Sequence, residues 1–307
     1  MTSQSAPRAN AAPNPVAPDR PGLAAVWMIG AIVSFSTMAV AGREAGLTFD
    51  TFEIMTYRSA VGILIMLAVL TAMRRWNEVS RANLTLHGAR NLAHFTAQNL
   101  WFYAITVIPL AQVFALEFTS PLWVIVLAAL FLGERMTWLK AGVGIIGFLG
   151  VLLVVRPGAV PLSAGMLAAA AAAFGFAVTA IFTKKLTQRE SILSIMLYLT
   201  AMQLGFGLIC SLADGQIAWP ETGQWGWLIT IGVCGLAAHF CLTTALSLAP
   251  ASLVMPVDFV RLPLIAIIGV LLYQEALDWA VLAGATLIFG ANYLNILASQ
   301  RAATRSA

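Results

Sequence analysis

Ten apolar runs, each about as long as a bilayer is thick, leave this chain few folds to choose from. They lie at roughly 23–41, 52–73, 89–108, 110–132, 138–155, 162–183, 192–212, 226–247, 252–273 and 279–298, close to the ~20 residues that a membrane helix needs. Hydrophobic residues make up 60% of the 307 and charged residues 10%, a balance far from that of a soluble domain of this length. The chain reads as an all-α membrane protein with ten transmembrane helices.

Basic residues sort to one side of these runs. With both termini cytoplasmic, the inside set is Arg8, Arg20, Arg74, Arg75, Arg81, Arg90, Arg135, Lys140, Lys184, Lys185, Arg189, Arg301 and Arg305, against Arg43 and Arg156 outside. The positive-inside rule therefore orients the chain in a bacterial-type plasma (inner) membrane. The net charge of +4 is accounted for by this distribution, and no nucleic acid partner is expected. Residues 1–21, rich in Ala, Pro, Ser and Asn, read as a disordered cytoplasmic tail. A secretory signal ending at Ala39-Val40-Ala41 is disfavoured, because cleavage there removes the first span of a repeat. Cys210, Cys234 and Cys241 all lie in apolar runs and form neither a disulfide framework nor a metal-ligand pattern.

The second half of the chain repeats the first. A shift of 141 positions (275 − 134 = 141) carries Pro109 onto Pro250, Val113 onto Val254, Phe118 onto Phe259, Glu134 onto Glu275 and Trp138 onto Trp279. Ile54, Met55, Tyr57 and Ala60 fall on Ile195, Met196, Tyr198 and Ala201. Five spans per half is an odd number, so the second half enters the membrane upside down. The expected architecture is two inverted five-helix repeats, residues 22–157 and 158–300, with a short cytoplasmic tail at 301–307.

The same shift carries Glu117 onto Asp258. A charge near the centre of a membrane helix costs ~2.5–3.5 kcal/mol on insertion scales, so matched acids in both halves point to function. Arg58 and Arg261 also fall inside spans. Arg261 follows Asp258 by three residues and shares its face, which predicts an ion pair. Arg58 has no acid on its own helix face, and Glu117 is its expected partner. Glu53, nearer the outer end, is expected to reach water. Span three places Asn91, His94, Gln98 and Trp101 on one face, with Gly232, Gly235, His239 and Leu242 as their counterparts in span eight. A polar stripe needs a cavity or another helix to face. Hydrogen bonding between helices is the alternative role for His94 and His239. Tyr103, Phe95, Phe114 and Phe118 add aromatic surface to this candidate site. Pro109, Pro121, Pro250, Pro256 and Pro263 are expected to keep spans four and nine irregular. Gly144, Gly147, Gly150, Gly284 and Gly290 mark spans five and ten as packing helices. Trp138, Trp219, Trp225, Trp227 and Trp279 sit at span ends as interfacial anchors.

On these features the chain resembles the drug/metabolite transporter superfamily in its EamA-type branch. The resemblance rests on the ten spans in two halves, Arg58 within FEIMTYRSAVG, and the ending LFLGERMTW with its echo LLYQEALDW. It covers about residues 22–300 and implies a carrier of small metabolites. The wording TFEIMTYR, ESILSIMLY and DFVRLPLIAIIGVLLYQE is similar to members that carry adenosyl-methionine or riboflavin. Small four-span relatives use a glutamate in their first span, whereas LAAVWMIGAIVSFSTMAVA has none.

The expected function is secondary transport of a zwitterionic or heteroaromatic metabolite by a monomer or homodimer in a lipid bilayer. Arg58, Asn91, His94, Gln98, Trp101, Tyr103, Glu117, His239, Asp258 and Arg261 are the candidate substrate contacts, with protons or a counter-substrate as coupling partners. No cofactor or metal is expected, and no GxxxxGK[ST] loop for ATP occurs. The rival reading is an intramembrane enzyme using His94, Glu117 and Asp258 as acid/base groups. No HExxH or GxSxG sequence supports it.

Overall fold

A backbone immersed in hydrocarbon must satisfy its own hydrogen bonds, and a helix does so within a single segment. The computed structural model describes residues 20–131, 137–156, 158–159, 161–187, 189–213, 217–248 and 257–306. These residues build α1 (Pro21–Ala45), α2 (Thr51–Ala72), α3 (Leu84–Val107), α4 (Leu110–Glu117), α5 (Ser120–Phe131) and α6 (Trp138–Val155). The second half continues with α7 (Ala164–Thr187), α8 (Ile192–Ser211), α9 (Trp225–Leu248), α10 (Arg261–Tyr273) and α11 (Trp279–Ser306). Among the described residues there is no strand. Span four is divided between α4 and α5, so these helices account for ten spans. The last helix runs beyond its apolar stretch to Ser306, through the segment expected as a tail. Residues 1–19, Glu134, Arg135, Pro250, Val254 and Pro256 lie outside the described residues.

Six segments among the described residues are long and apolar enough to cross a membrane: α1, α2, the α4–α5 stretch, α7, α8 and α9. Helix α3 matches them in length but carries Arg90, Asn91, His94, Gln98 and Asn99, all buried. Its polar side chains are therefore turned inward, while Leu64, Leu130, Ile209 and Leu271 cover the outside. Trp138, Trp219 and Trp279 are exposed near helix ends, as expected of residues that sit at membrane–water interfaces.

Helices α1, α2, α3, α4 and α6 of the first half each pack against one of the second, and these five pairs run antiparallel. On α1 and α9, the Arg20 N–H donates to Leu248 at 2.9 Å, while Met38 reaches Gly235 near the other end. On α2 and α8, Thr56 meets Ser211 at 3.2 Å and Gly62 meets Thr200. On α3 and α7, Arg90 meets Thr183, Ala97 meets Gly175, and Val107 meets Gly165. The α4 and α10 segments align Leu110 with Glu275 and Phe118 with Phe259.

Between α6 and α11 the two backbones approach closely. A Cβ added at Gly150 would stand 2.7 Å from the Gly284 carbonyl oxygen, and one at Gly284 would stand 2.5 Å from that of Gly150. Small residues permit this backbone approach. The largest apolar cluster gathers Phe102, Phe114, Leu116, Ile265 and Ile288 from both halves around the bundle centre.

Candidate functional site

The site begins where two helices break. Pro121 has no N–H to give the carbonyl of Glu117, four residues earlier, and α4 stops at Glu117. Thr119 tightens the turn by bonding back to Leu116. The freed carbonyl of Phe118 accepts from Asn292 Nδ2 of α11 at 2.9 Å. In the second half Val257 and Asp258 are helical, Phe259 and Val260 form a turn, and α10 starts at Arg261. Phe118 and Phe259, equivalent under the 141-residue shift, thus mark equivalent breaks, each preceded by its acid.

Arg261 joins the two acids. Its Nη2 donates to Asp258 Oδ2 at 3.0 Å and to Glu117 Oε1 at 3.1 Å. The other Glu117 oxygen accepts from Trp101 Nε1 at 2.7 Å. The guanidinium lies over Phe35, Phe114 and Phe118, with 4.8, 5.0 and 5.2 Å from its carbon to the ring centroids. Arginine suits such a place because its planar, weakly hydrated head both stacks and forks. Arg261 is only 4% exposed. Arg261 Nε and Asp258 Oδ1 are buried without a partner, so part of the network's hydrogen-bonding capacity is unspent.

The expected ion pair within the Asp258 face is present. The expected pairing of Arg58 with Glu117 is not, because Arg261 and Trp101 hold that carboxylate. Arg58 is 7% exposed, and its hydrogen bond is to the Met55 sulfur at 3.5 Å. It lines a cavity with Thr200, Gln203, Gly232, Gly235 and His239.

The stripe on α3 divides into parts with different neighbours. Asn91 donates to the Tyr198 carbonyl at 3.2 Å and accepts from Arg90 Nη1 at 2.8 Å. Gln203 of α8 donates to the Asn91 carbonyl at 3.1 Å. His94 faces His239, 5.6 Å between ring centroids, and both its ring nitrogens are buried without a partner. Gln98 is buried. Phe35 touches His239 on one side, 5.6 Å between centroids, and Arg261 on the other, so one ring links the two charged clusters.

Tyr103 is not brought to this group. Two residues along a helix is a turn of ~200°, which sets Tyr103 opposite Trp101, and it is 40% exposed. Glu53 differs from its expectation as well. It is buried, closes a capping box with Asp50, and accepts from the Ala218 N–H at 2.6 Å. The α2 helix start needs that carboxylate more than water does.

Arg90 and Phe35 belong to the site but were not legible as members. Arg90 sits at a span edge among loop arginines, yet it is buried and donates to Thr183 and Asn91. Phe35 is one of many aromatics in an apolar run. At the far end of the bundle Glu275 ties three elements together, pairing with Arg43 of α1 and accepting from the Leu110 N–H. Tyr273 adds a hydroxyl bond to Glu44 at 2.9 Å.

Paired apolar helices around buried charges at broken helix centres define a multi-pass membrane protein with an internal polar site. The chain belongs to the EamA-like transporter family, whose pattern matches it twice, over residues 22–156 and 163–297. It is a transporter of the drug/metabolite superfamily, not an enzyme. An S-adenosylmethionine uptake transporter of Rickettsia bellii is 26% identical over 279 residues, 91% of this chain and 95% of that protein. A riboflavin transporter of Brucella anthropi is 30% identical over 270 residues, 86% and 95% of the two chains. A pseudopaline exporter of Pseudomonas aeruginosa is 30% identical over 261 residues, 83% and 89% of the two. A crystal structure of a protein 20% identical in sequence shares the fold, with a TM-score of 0.63 over 91% of this chain and 98% of the other.

Proposed function

We propose that this chain is a secondary transporter carrying a small zwitterionic or heteroaromatic metabolite across a bacterial-type inner membrane. It works by alternating access between two inverted five-helix repeats, with both termini cytoplasmic. The observation that carries the reading is the pair of equivalent helix breaks, each beside an acid, joined through Arg261. Discontinuous helices meeting between two repeats are where carriers of this kind hold substrate. The shift-equivalent helices that pack on each other, α2 with α8 and α6 with α11, run antiparallel, which supports inversion, since helices related by an axis in the membrane plane run in opposite senses.

The candidate contacts divide by chemistry. Glu117, Asp258 and Trp101 suit a cationic or aromatic part of a solute. Arg58, Asn91, His94, Gln98 and His239 offer hydrogen bonds and positive charge. The names of the relatives favour S-adenosylmethionine, riboflavin and amino-acid-like metallophores as the first solutes to test. Protons or a counter-substrate provide the driving force through Glu117. The protein acts as a monomer or homodimer.

The test is uptake into proteoliposomes. Wild-type protein is expected to accumulate at least one of these solutes, and Glu117→Gln to abolish that uptake or its pH dependence. Uptake by Glu117→Gln equal to wild type at every pH removes Glu117 from the mechanism. Orientation is read separately, with single cysteines placed beside Lys185 and Glu221 in whole cells. Labelling of both from the same side would overturn the inverted arrangement.

A further inference from the structure

We propose that Arg58 is the receptor for a carboxylate carried by the transported solute. This inference rests on the transporter reading and narrows its substrate class to organic acids or zwitterions.

The argument starts from charge. Among the described residues three arginines are buried inside the bundle: Arg58, Arg90 and Arg261. Arg261 is held by two carboxylates. Arg90 spends its N–H groups on Thr183 Oγ1 and Asn91 Oδ1, both neutral acceptors. Among the described residues no acid pairs with Arg58, and its contact with a thioether sulfur at 3.5 Å is a weak one. A guanidinium cannot shed its proton at physiological pH. A buried cation without a counter-charge is costly, and a planar fork with free N–H groups matches a carboxylate bidentately.

The surroundings keep that fork uncovered. Arg58 lines a cavity of ≈ 20 Å³, room for a water-sized group, so the tip of an acid fits there and a whole metabolite does not. A Cβ at Gly235 would lie 2.9 Å from Arg58 Nε and 3.1 Å from Nη2. Glycine at that position makes room for the guanidinium against the α9 backbone. One at Gly232 would meet Val61 and the Arg58 carbonyl, so this second glycine lets α9 lie close on α2. His94 is 2% exposed, with two unpartnered ring nitrogens, and its ring faces His239 in the same cavity wall. His239, which lines the cavity with Arg58, offers a second donor, with His94 packed against it.

The arrangement is polar along its length. At one end two carboxyls share a single arginine; at the other, two arginines have no acid partner among the described residues. Phe35 and His239 lie between. A solute with a cationic group and a carboxylate, separated by an apolar or aromatic body, matches that order of charges.

The experiment uses purified full-length protein and three probes: acetate, chloride and acetamide, compared by thermal unfolding at constant ionic strength. Acetate is expected to raise the midpoint of wild type, with acetamide inert and chloride weaker. Arg58→Gln is expected to abolish the acetate shift. Gly235→Ala, which keeps the arginine but crowds its head, is expected to weaken acetate binding at least tenfold and serves if Arg58→Gln fails to fold. No acetate shift in wild type, or an equal shift in the variants, overturns the proposal. An equal response to chloride makes this an inorganic-anion site and overturns it too. Proteoliposome uptake separates this from the wider reading. S-adenosylmethionine, which carries a carboxylate, is expected to lose uptake at least tenfold in Gly235→Ala. Uptake of riboflavin alone, unchanged in that variant, leaves a transporter but removes the carboxylate receptor. Absence of uptake of any panel solute in wild type counts against the transporter reading itself, while the acetate result stands or falls separately.

Discussion

Helices α3 and α9 occupy equivalent places in the two halves, yet they are filled by opposite means. Where α3 carries Asn91, His94, Gln98 and Trp101, α9 carries Gly232, Gly235, His239 and Leu242. The first set projects polar groups into the bundle and sends the Trp101 N–H to Glu117. The second withdraws, so that Val61 and the Arg58 head lie against bare backbone. Leu242 packs against the apolar cluster that holds Met28 and Ala31 of α1. Asp258, the counterpart of Glu117, receives Arg261 instead. The common pattern sets where helices run and break; the chemistry lies where the halves diverged.

Two of the buried arginines, Arg261 and Arg58, give the largest test of that difference. Arg261→Met strands two carboxyl groups, and removing one partner of a buried pair typically costs about 3–5 kcal/mol. Thermal or denaturant unfolding should show a loss of that size, with no transport. Glu117→Gln and Asp258→Asn each leave Arg261 one acid, so each should destabilise less than Arg261→Met. Arg58→Gln breaks no ion pair and should cost the least of the four. A loss for Arg58→Gln as large as for Arg261→Met means that Arg58 is held by a partner of comparable strength.

Next in size is a substitution that copies the second half into the first. Trp101→Leu gives α3 the residue that α9 carries at the equivalent place, and removes a 2.7 Å bond to a carboxylate. Hydrogen bonds to charged groups contribute roughly 1.5–3 kcal/mol, and the lost ring adds a cavity. Transport should fall at least tenfold. Normal transport by Trp101→Leu would make the two helices interchangeable in function and break the comparison.

These effects also separate what a one-dimensional reading can reach from what it cannot. Periodicity within one helix was legible: the Asp258–Arg261 pair, the α3 stripe and the glycines of α6 and α11 all follow from spacing along a single segment. Partners across helices were not. Glu117 and Arg261 stand 144 positions apart, and nothing along the chain says that Arg261, rather than Arg58, reaches Glu117. Arg90 looked like one more inside-loop charge because burial of a span-edge residue depends on what packs over it, here Thr183 of α7. Glu53 was expected in water for the same reason, and the Ala218 N–H that holds it lies 165 positions away. The break at Phe118 was legible from Pro121, but its acceptor's partner, Asn292, was not.

The smallest effect concerns the starts of α2 and α8, which are equivalent under the same shift. Helix α2 opens with the Asp50–Glu53 capping box, closed within its own first turn. Helix α8 opens with Ser191, whose hydroxyl accepts from the Ser194 N–H at 3.1 Å. Glu190 beside it accepts from Asn83 Nδ2 at 2.8 Å and from the Ser194 hydroxyl at 3.0 Å. Both carboxylates also reach distant segments: Glu53 accepts from the Ala218 N–H, and Glu190 ties α8 to the segment leading into α3. Burial pushes the Glu190 carboxyl up, but hydrogen bonds from Asn83, Ser194 and Ser80 outweigh it and hold the group below the ordinary carboxylate range. A carboxyl lowered on folding stabilises the protein above its unfolded value and loses that contribution as pH falls through the folded one. The unfolding midpoint of wild type should therefore decline on acidification below the ordinary carboxylate range near pH 4. Glu190→Gln should begin slightly less stable at neutral pH and show a flatter acid limb, with uptake unchanged. An acid limb as steep as that of wild type in Glu190→Gln would mean that the α3–α8 tie contributes nothing through its charge, and that the two helix starts differ in residues but not in what they do.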